Sequence, residues 1–175
     1  MYNARTLLIV DGPSAHYSAR DLGKNIDYKG LINWANEESN GQLIAAVYFN
    51  VNQDNKSVAA LKLFDWLIFN GYVCKILPAE DKNDSQTVFR AVSGFLQDIR
   101  DFNASASIGR IILFGNDHKY GEPAFNLLKE GIRVSLIGTR KTELPRVGMQ
   151  LLSCVPEFLE LDDLPFLSDP SGPEE

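Results

Sequence analysis

Five short apolar segments alternate with longer segments of helical period, and this alternation limits the fold more than any other feature of the chain. The apolar segments span residues 6–10, 43–49, 72–77, 111–114 and 134–137. Their almost continuous hydrophobicity predicts strands that are buried on both faces. The intervening segments 57–69 and 122–130 have helical patterns, and one helical stripe is formed by Val88, Val92, Phe95, Leu96 and Ile99.

The resulting order, β-α-β-α-β-α-β-α-β, predicts a three-layer α/β fold with a mainly parallel sheet and helices on both faces. At 175 residues the chain has the length of one ordinary domain. We assign residues 1–161 to that domain, with a last short strand at 157–161 and a loop and short helix within 140–153. Residues 162–175, which are acidic and contain three prolines, are predicted to form a poorly ordered tail.

Composition and missing motifs exclude several functional classes. The tail holds five of the acidic residues and no Lys or Arg, so the remainder of this −6 chain is nearly neutral. No general basic field therefore indicates nucleic acid. Neither GxGxxG nor GxxxxGK[ST] occurs, and HExxH and GxSxG are absent. No apolar run approaches the ~18 residues of a membrane span, and two cysteines cannot form a disulfide framework, so we predict a cytoplasmic protein.

Three acidic positions are predicted to meet at the carboxyl edge of the sheet. Asp11 directly follows the first strand, Asp84 precedes the striped helix, and Asn116 and Asp117 follow the fourth strand. Ligands of parallel sheets bind at this edge, where the strand order reverses. Mg²⁺ prefers oxygen ligands, commonly one or two carboxylates with several waters, so these side chains are candidate ligands of one cation.

Each of these residues also has a structural interpretation. Asp11 is suited to hydrogen bonding within its own turn, with Ser14 as a cap, and Asp84 or Asn83 to capping the next helix. Arg140 and Lys141, with Arg146, contact phosphates if they lie near the edge, or form an ordinary charged surface.

The segment from Val58 to Phe69 is apolar on nearly every side. Simple burial explains this pattern, and so does a subunit interface, because a helix on a sheet needs to bury only one face. A homodimer formed through residues 61–69 is therefore a second prediction for this segment.

The chain resembles the NYN domains, a branch of the PIN-like nucleases, from about residue 7 to residue 161. The resemblance rests on segments in a shared order: Leu-Leu-Ile-Val-Asp11-Gly12 with Tyr17 downstream, Asn70-Gly71-Tyr72-Val73, Asp84 opening a helix, Ile-Ile-Leu-Phe-Gly115-Asn116-Asp117, Phe125-Asn-Leu-Leu-Lys-Glu-Gly131-Ile-Arg-Val134, and Pro156-Glu157-Phe158-Leu159. The resemblance implies RNA cleavage with Mg²⁺ or Mn²⁺ held by clustered aspartates, here Asp11 and Asp84 with Asp117 or Asn116.

The chain departs from the family pattern at several of those positions. Ser14 stands for an Asn, Asn116 and His118 stand for two carboxylates, and Arg90 stands for another Asp. An Asn removes one negative charge, and an Arg reverses one, which repels a divalent ion. A shift of one residue would place Asp117 at the position of Asn116 and restore part of the site.

Two main hypotheses follow. The first is a metal-dependent ribonuclease that uses Asp11, Asp84 and Asp117 or Asn116, with Ser14, Arg140 and Lys141 contacting substrate. The second is a non-catalytic relative that binds RNA or a protein partner, acting as a homodimer. A small-molecule nucleotide binder is a weaker third hypothesis, because the phosphate-binding loop is missing.

Overall fold

A computed structural model describes residues 4–52, 58–78, 84–141, 153, 155 and 157–170. Their strands and helices are β1 (Arg5–Asp11), α1 (Gly12–Asp21), β2 (Asn25–Ile26), α2 (Tyr28–Glu38), β3 (Leu43–Asn52), α3 (Val58–Phe69), β4 (Tyr72–Pro78), α4 (Asp84–Ala106), β5 (Ile108–Phe114), α5 (Gly121–Lys129), β6 (Arg133–Gly138), β7 (Glu157–Glu160) and β8 (Leu167–Ser168). Short 3₁₀ helices span His118–Tyr120 and Leu161–Asp163.

Six of these strands form one sheet in the order β4-β3-β1-β5-β6-β7, and every neighbouring pair is parallel. The chain runs outward from β1 to β3 and β4, then crosses to β5 on the other side of β1 and continues outward to β6 and β7. The strand order therefore reverses between β1 and β5. The predicted parallel α/β sheet is confirmed.

Successive side chains of the central strands lie alternately in two separate hydrophobic layers. Both faces of these strands are therefore buried, and their sequences are continuous apolar runs. Leu7 and Ile9 of β1 face a layer completed by α4 and α5. Leu8 and Val10 face the opposite layer, to which α1, α2 and α3 contribute. Helices thus cover both faces, and the predicted stripe of α4 is buried at Val88, Val92, Leu96 and Ile99.

The sequence predicted only one helix between the first two strands, whereas the structure has α1, the short strand β2 and α2. Neither helix carries a long apolar stripe. The hydrophobic side chains that α1 buries are a proline and two alanines, and α2 buries Leu31 and Ala35. Small buried residues give little helical periodicity, so the pattern did not reveal these helices.

The prediction of poor order from Asp162 onward does not hold for residues 162–168. There, β8 pairs antiparallel with β2, and the Phe166 side chain is buried between Trp34 and Phe114, with ring centroids 5.4 and 6.2 Å away. The Phe166 carbonyl also accepts a hydrogen bond from the Asp27 amide at 2.8 Å. A single large aromatic residue thus anchors a segment whose composition is acidic and proline-rich.

Some predictions fall outside the described residues: Ser57 as the helix start, Asn83 as a cap, Arg146 and most of the segment 140–153, and residues 171–175. Cys74 is partly buried, and burial raises the pKa of its thiol. Among the described helices, none combines the length and apolarity that crossing a membrane requires.

Candidate functional site

The strand reversal between β1 and β5 brings three predicted residues to the same crevice. Asp11 is the last residue of β1, and Asn116 and Asp117 directly follow β5, its hydrogen-bonded neighbour. In parallel sheets a ligand crevice opens at such a reversal, outside the carboxyl ends of the strands. The location therefore agrees with the sequence-based prediction for these three residues.

Both carboxylate oxygens of Asp11 accept hydrogen bonds from protein groups. The residue is 2% exposed. Its Oδ1 accepts from the Ser14 amide at 3.1 Å, which caps the first turn of α1. Its Oδ2 accepts from the Tyr120 hydroxyl at 2.5 Å. Buried carboxylates need such donors, because an unpaired buried charge is costly.

Tyr120 is fully buried at the end of the 3₁₀ helix that follows Asp117. Burial is the main cause that holds the pKa of its phenol well above the ordinary value, and the neighbouring charges of Asp11 and Asp117 raise that pKa further. Tyr120 therefore remains a protonated donor throughout the physiological pH range. The Phe89 ring of α4 packs against it, with ring centroids 4.9 Å apart.

The turn after Asp11 passes so close to β3 that only glycine fits at position 12. A Cβ atom on Gly12 would lie 2.6 Å from the Phe49 carbonyl oxygen and 2.8 Å from the Tyr48 hydroxyl oxygen. Tyr48 is itself buried, and its hydroxyl accepts a hydrogen bond from the Asn50 side-chain Nδ2 at 2.9 Å. Backbone, phenol and amide are thus packed against the base of the crevice.

Ser14 and Asn116 link the loops of the crevice to one another. The Ser14 hydroxyl accepts a hydrogen bond from the Asn116 backbone amide at 2.6 Å. The Asn116 Oδ1 accepts from the Thr139 amide at 3.3 Å, just beyond β6. Both side chains are buried. Their hydrogen bonds fix the loop after β5 between the ends of β1 and β6, which gives both residues a positioning role.

Asp117 lies nearer the solvent than Asp11. Its side chain is 27% exposed, and its Oδ1 accepts from the Lys119 amide at 2.9 Å, capping the 3₁₀ helix. The Nδ1 of the exposed His118 lies 3.5 Å from the same oxygen. A ligand in the crevice can therefore reach the Asp117 carboxylate more easily than the buried carboxylate of Asp11.

Asp84 is the first residue of α4 and is half-buried. A negative charge in the first turn stabilises a helix through its dipole. Within the described part of the chain, no three His, Cys, Asp or Glu side chains are grouped closely enough to hold one metal ion. The structure therefore does not gather Asp11, Asp84 and Asp117 into the predicted three-carboxylate cluster. Arg90, which replaces an expected acid, lies exposed on α4.

Arg140 and Lys141 follow β6 at the same edge of the sheet, as predicted. The Arg140 guanidinium lies 5.5 Å from the centroid of the Phe158 ring, and its backbone amide donates to Glu160. The Lys141 amine is 3.0 Å from Asp163 and 3.4 Å from Asp162. The hydrogen bond to Asp163 is the main reason that the pKa of Lys141 is raised. Its charge is thus partly compensated within the chain.

Sequence reasoning missed Tyr120, which contributes the donor to Asp11, and Tyr48 beside the turn. A tyrosine at an apolar position is ordinarily assigned to the core, and both are indeed buried there. The signal that could have found Tyr120 is its place three residues after Asp117, on the loop that the topology brings next to Asp11.

The NYN domain family model matches residues 5–162. Among solved structures, the chain is similar to a protein of unknown function from Vibrio parahaemolyticus RIMD 2210633, with 16% sequence identity and a TM-score of 0.75. The similarity covers 96% of this chain and 99% of that one, and at this identity it establishes the fold alone. No curated protein matches the chain.

Proposed function

The chain belongs to the NYN domain family within the PIN-like nuclease superfamily, and from that premise we propose that it binds single-stranded RNA at the carboxyl edge of its sheet. We further propose that it has lost most of the metal-dependent cleavage that the resemblance implies. The observation that carries this proposal is that both carboxylate oxygens of Asp11 already accept hydrogen bonds, from the Ser14 backbone amide and the Tyr120 hydroxyl.

The donor set at this edge does not fit a two-metal centre. Two-metal cleavage of phosphodiesters needs several carboxylates around the ions. Here Asn116 contributes no charge, the described acidic residues form no group of three, and the Asp11 carboxylate is held by protein donors. A single ion bound by Asp11 and Asp117 with several waters is the most that these carboxylates support, and we assign no reaction step to it.

Cationic groups at the same edge support RNA as the ligand. Lys119 follows Asp117, and Arg140 follows β6, so both cations flank the loop after β5. Arg140 is exposed and lies over the Phe158 ring, an arrangement suited to contacting phosphate or stacking on a base. Because the chain as a whole is acidic, binding depends on these local cations and weakens with added salt.

A metal-dependent ribonuclease remains the second candidate function, and a specific observation favours it. Asp11 and Asp117 lie on adjacent sides of the strand reversal, and both charges act on the Tyr120 phenol. In that function the two carboxylates would hold Mg²⁺ or Mn²⁺, and the chemistry that the ion would supply is Lewis acidity.

Binding and cleavage of a fluorescently labelled single-stranded RNA separate these functions. We expect fluorescence anisotropy to show RNA binding in EDTA as well as in Mn²⁺. Arg140→Ala should weaken that binding and reduce the slope of log affinity against log salt concentration by the equivalent of about one phosphate contact. Arg133→Ala is the matched control, because Arg133 is an exposed arginine at the opposite edge of the sheet. Mn²⁺-dependent cleavage that Asp11→Asn abolishes would instead establish the ribonuclease.

We also propose that the protein forms a homodimer through α3. Several large apolar side chains on this helix are exposed, including Phe69 at 89% and Ile68 at 57%. Exposed large apolar side chains on one helix are typical of an interface between subunits.

A further inference from the structure

A cleft of about 300 Å³ separates α4 from α5, on the side of the sheet that carries both helices. Phe89, Leu96 and Leu127 form apolar walls, and polar side chains enter from Ser93, Gln97 and Asn126. Sites for small ligands begin at about this volume and combine apolar walls with a few polar groups. The volume suits a nucleobase.

The Ser93 hydroxyl points to a polar ligand in this cleft. Its oxygen is buried, and the described part of the chain provides no hydrogen-bond partner for it. A buried hydroxyl without a partner destabilises the folded state, and a ligand that bonds to it removes that penalty. The side-chain amides of Gln97 and Asn126 line the same cleft. Hydroxyl and amide groups match the mixed donors and acceptors along the edge of a base.

The remaining contacts of the cleft suit a nucleotide better than a free apolar molecule. The Phe89 ring is half-buried on one wall, and the Lys119 ammonium lies 5.7 Å from its centroid. Aromatic rings stack on bases, and a nearby lysine attracts the phosphate of the same nucleotide. Arg100, paired with Glu130 at 3.7 Å and about one-third exposed, adds a second cation to the lining, and Glu122 adds one carboxylate.

The cleft is connected to the carboxyl edge through two aromatic rings. Phe89 packs on Tyr120, and the Tyr120 hydroxyl bonds to Asp11. Lys119 belongs to the same short helix as Tyr120, next to Asp117. Lys119 therefore belongs both to the lining of the cleft and to the loop at the carboxyl edge.

We propose that the α4–α5 cleft is a base-binding pocket for one nucleotide of an RNA strand lying on the carboxyl edge of the sheet. This inference rests on the proposed RNA binding and assigns part of its affinity to a defined pocket. Phe89 stacks on the base, Ser93 and Asn126 bond to its edge, and Lys119 contacts the adjoining phosphate.

Chemical-shift changes in the full-length ¹⁵N-labelled protein test the pocket. The titrants are single-stranded hexamers of uridine or adenosine, the same hexamers with abasic riboses, and inorganic phosphate. We expect the Gln97 and Asn126 side-chain amide signals to shift with the intact hexamers and to stay unchanged with the abasic strand and with phosphate. Shifts of equal size with phosphate would overturn the base pocket in favour of an anion site.

Two variants measure the contribution to affinity. Ser93→Leu fills the cleft, and Asn126→Ala removes one amide, so each weakens hexamer binding, by roughly 5- to 150-fold where the base no longer stacks. Asn36→Ala, an exposed asparagine on α2, is the matched control and leaves binding unchanged. A thermal melt of Asn126→Ala like that of the unchanged protein confirms that it folds.

The outcomes distinguish this inference from the proposed function. If the hexamers bind and Arg140→Ala weakens them, while both cleft variants bind normally and the amide signals do not move, the pocket is refuted and RNA binding stands. If no hexamer binds, the pocket and the proposed function are refuted together.

Discussion

Replacing Tyr120 by Phe tests whether this hydroxyl controls the Asp11 carboxylate. The substitution keeps the buried ring against Phe89 and removes only the donor to Oδ2. A hydrogen bond to a charged group contributes about 1.5–3 kcal/mol, and a buried partner left without it loses that amount. Tyr120→Phe should therefore lower the melting temperature by roughly 3–12 °C for a chain of this length.

The same change removes one donor with which a cation at Oδ2 competes. An ion that displaces the Tyr120 hydroxyl from Oδ2 in the unchanged protein does so at a cost equal to that hydrogen bond. We therefore expect Mn²⁺ to bind Tyr120→Phe roughly 10- to 150-fold more tightly, as measured by isothermal titration calorimetry. Asp11→Asn in the Tyr120→Phe background should remove the gain.

Tyr72→Phe is the matched control for this experiment. Tyr72 is also buried, and its hydroxyl donates to the Tyr28 carbonyl at 2.5 Å, away from the carboxyl edge. Its loss should lower stability while leaving Mn²⁺ affinity unchanged. If Tyr120→Phe changes neither stability nor Mn²⁺ affinity, the hydroxyl does not control Asp11 and the reasoning fails.

Three other predictions concern the fold and the assembly. Phe166→Ala should lower the free energy of unfolding by about 3–5 kcal/mol in denaturant titrations, because it empties a buried aromatic site; a change below 1 kcal/mol would contradict the anchoring of residues 162–168. Burial raises the pKa of Tyr28, Tyr48, Tyr72 and Tyr120 in the folded protein, so the unfolded chain releases those protons first and stability should fall above about pH 10; constant stability up to pH 12 would refute this. Light scattering should give the mass of a dimer, and Phe69→Glu that of a monomer; a monomer at every concentration of the unchanged protein would refute the interface.

Strands that lie inside a parallel sheet are the part of this fold that the sequence reveals best. The central parts of β1 and β5 are buried on both faces, so residues 7–10 and 111–114 are apolar without interruption, and the order of the strands along the chain restricts the topology. The same reasoning located Asp11, Asn116 and Asp117 at one edge. These three positions followed from strand ends alone and required no knowledge of side-chain contacts.

The parts that sequence reasoning missed depend on contacts between distant residues. Phe166 lies in a segment of disordered composition, and only its packing against Trp34 and Phe114 explains its order. The Tyr120 hydroxyl is similar, because nothing local to residue 120 indicates that its partner lies 109 positions earlier. The predicted cluster of Asp84 with Asp11 and Asp117 also depended on the orientations of their side chains, which the positions of strand ends do not define.

The occupancy of the carboxyl edge by manganese tests the central claim most directly. Crystals of the full-length protein soaked in Mn²⁺ and measured at the manganese absorption edge would locate each bound ion by its anomalous scattering. We predict no anomalous peak within bonding distance of Asp11 in the unchanged protein and a single peak between Asp11 and Asp117 in Tyr120→Phe. Two anomalous peaks between Asp11 and Asp84 in the unchanged protein, each within bonding distance of one of these carboxylates, would contradict the account and establish a two-metal nuclease centre.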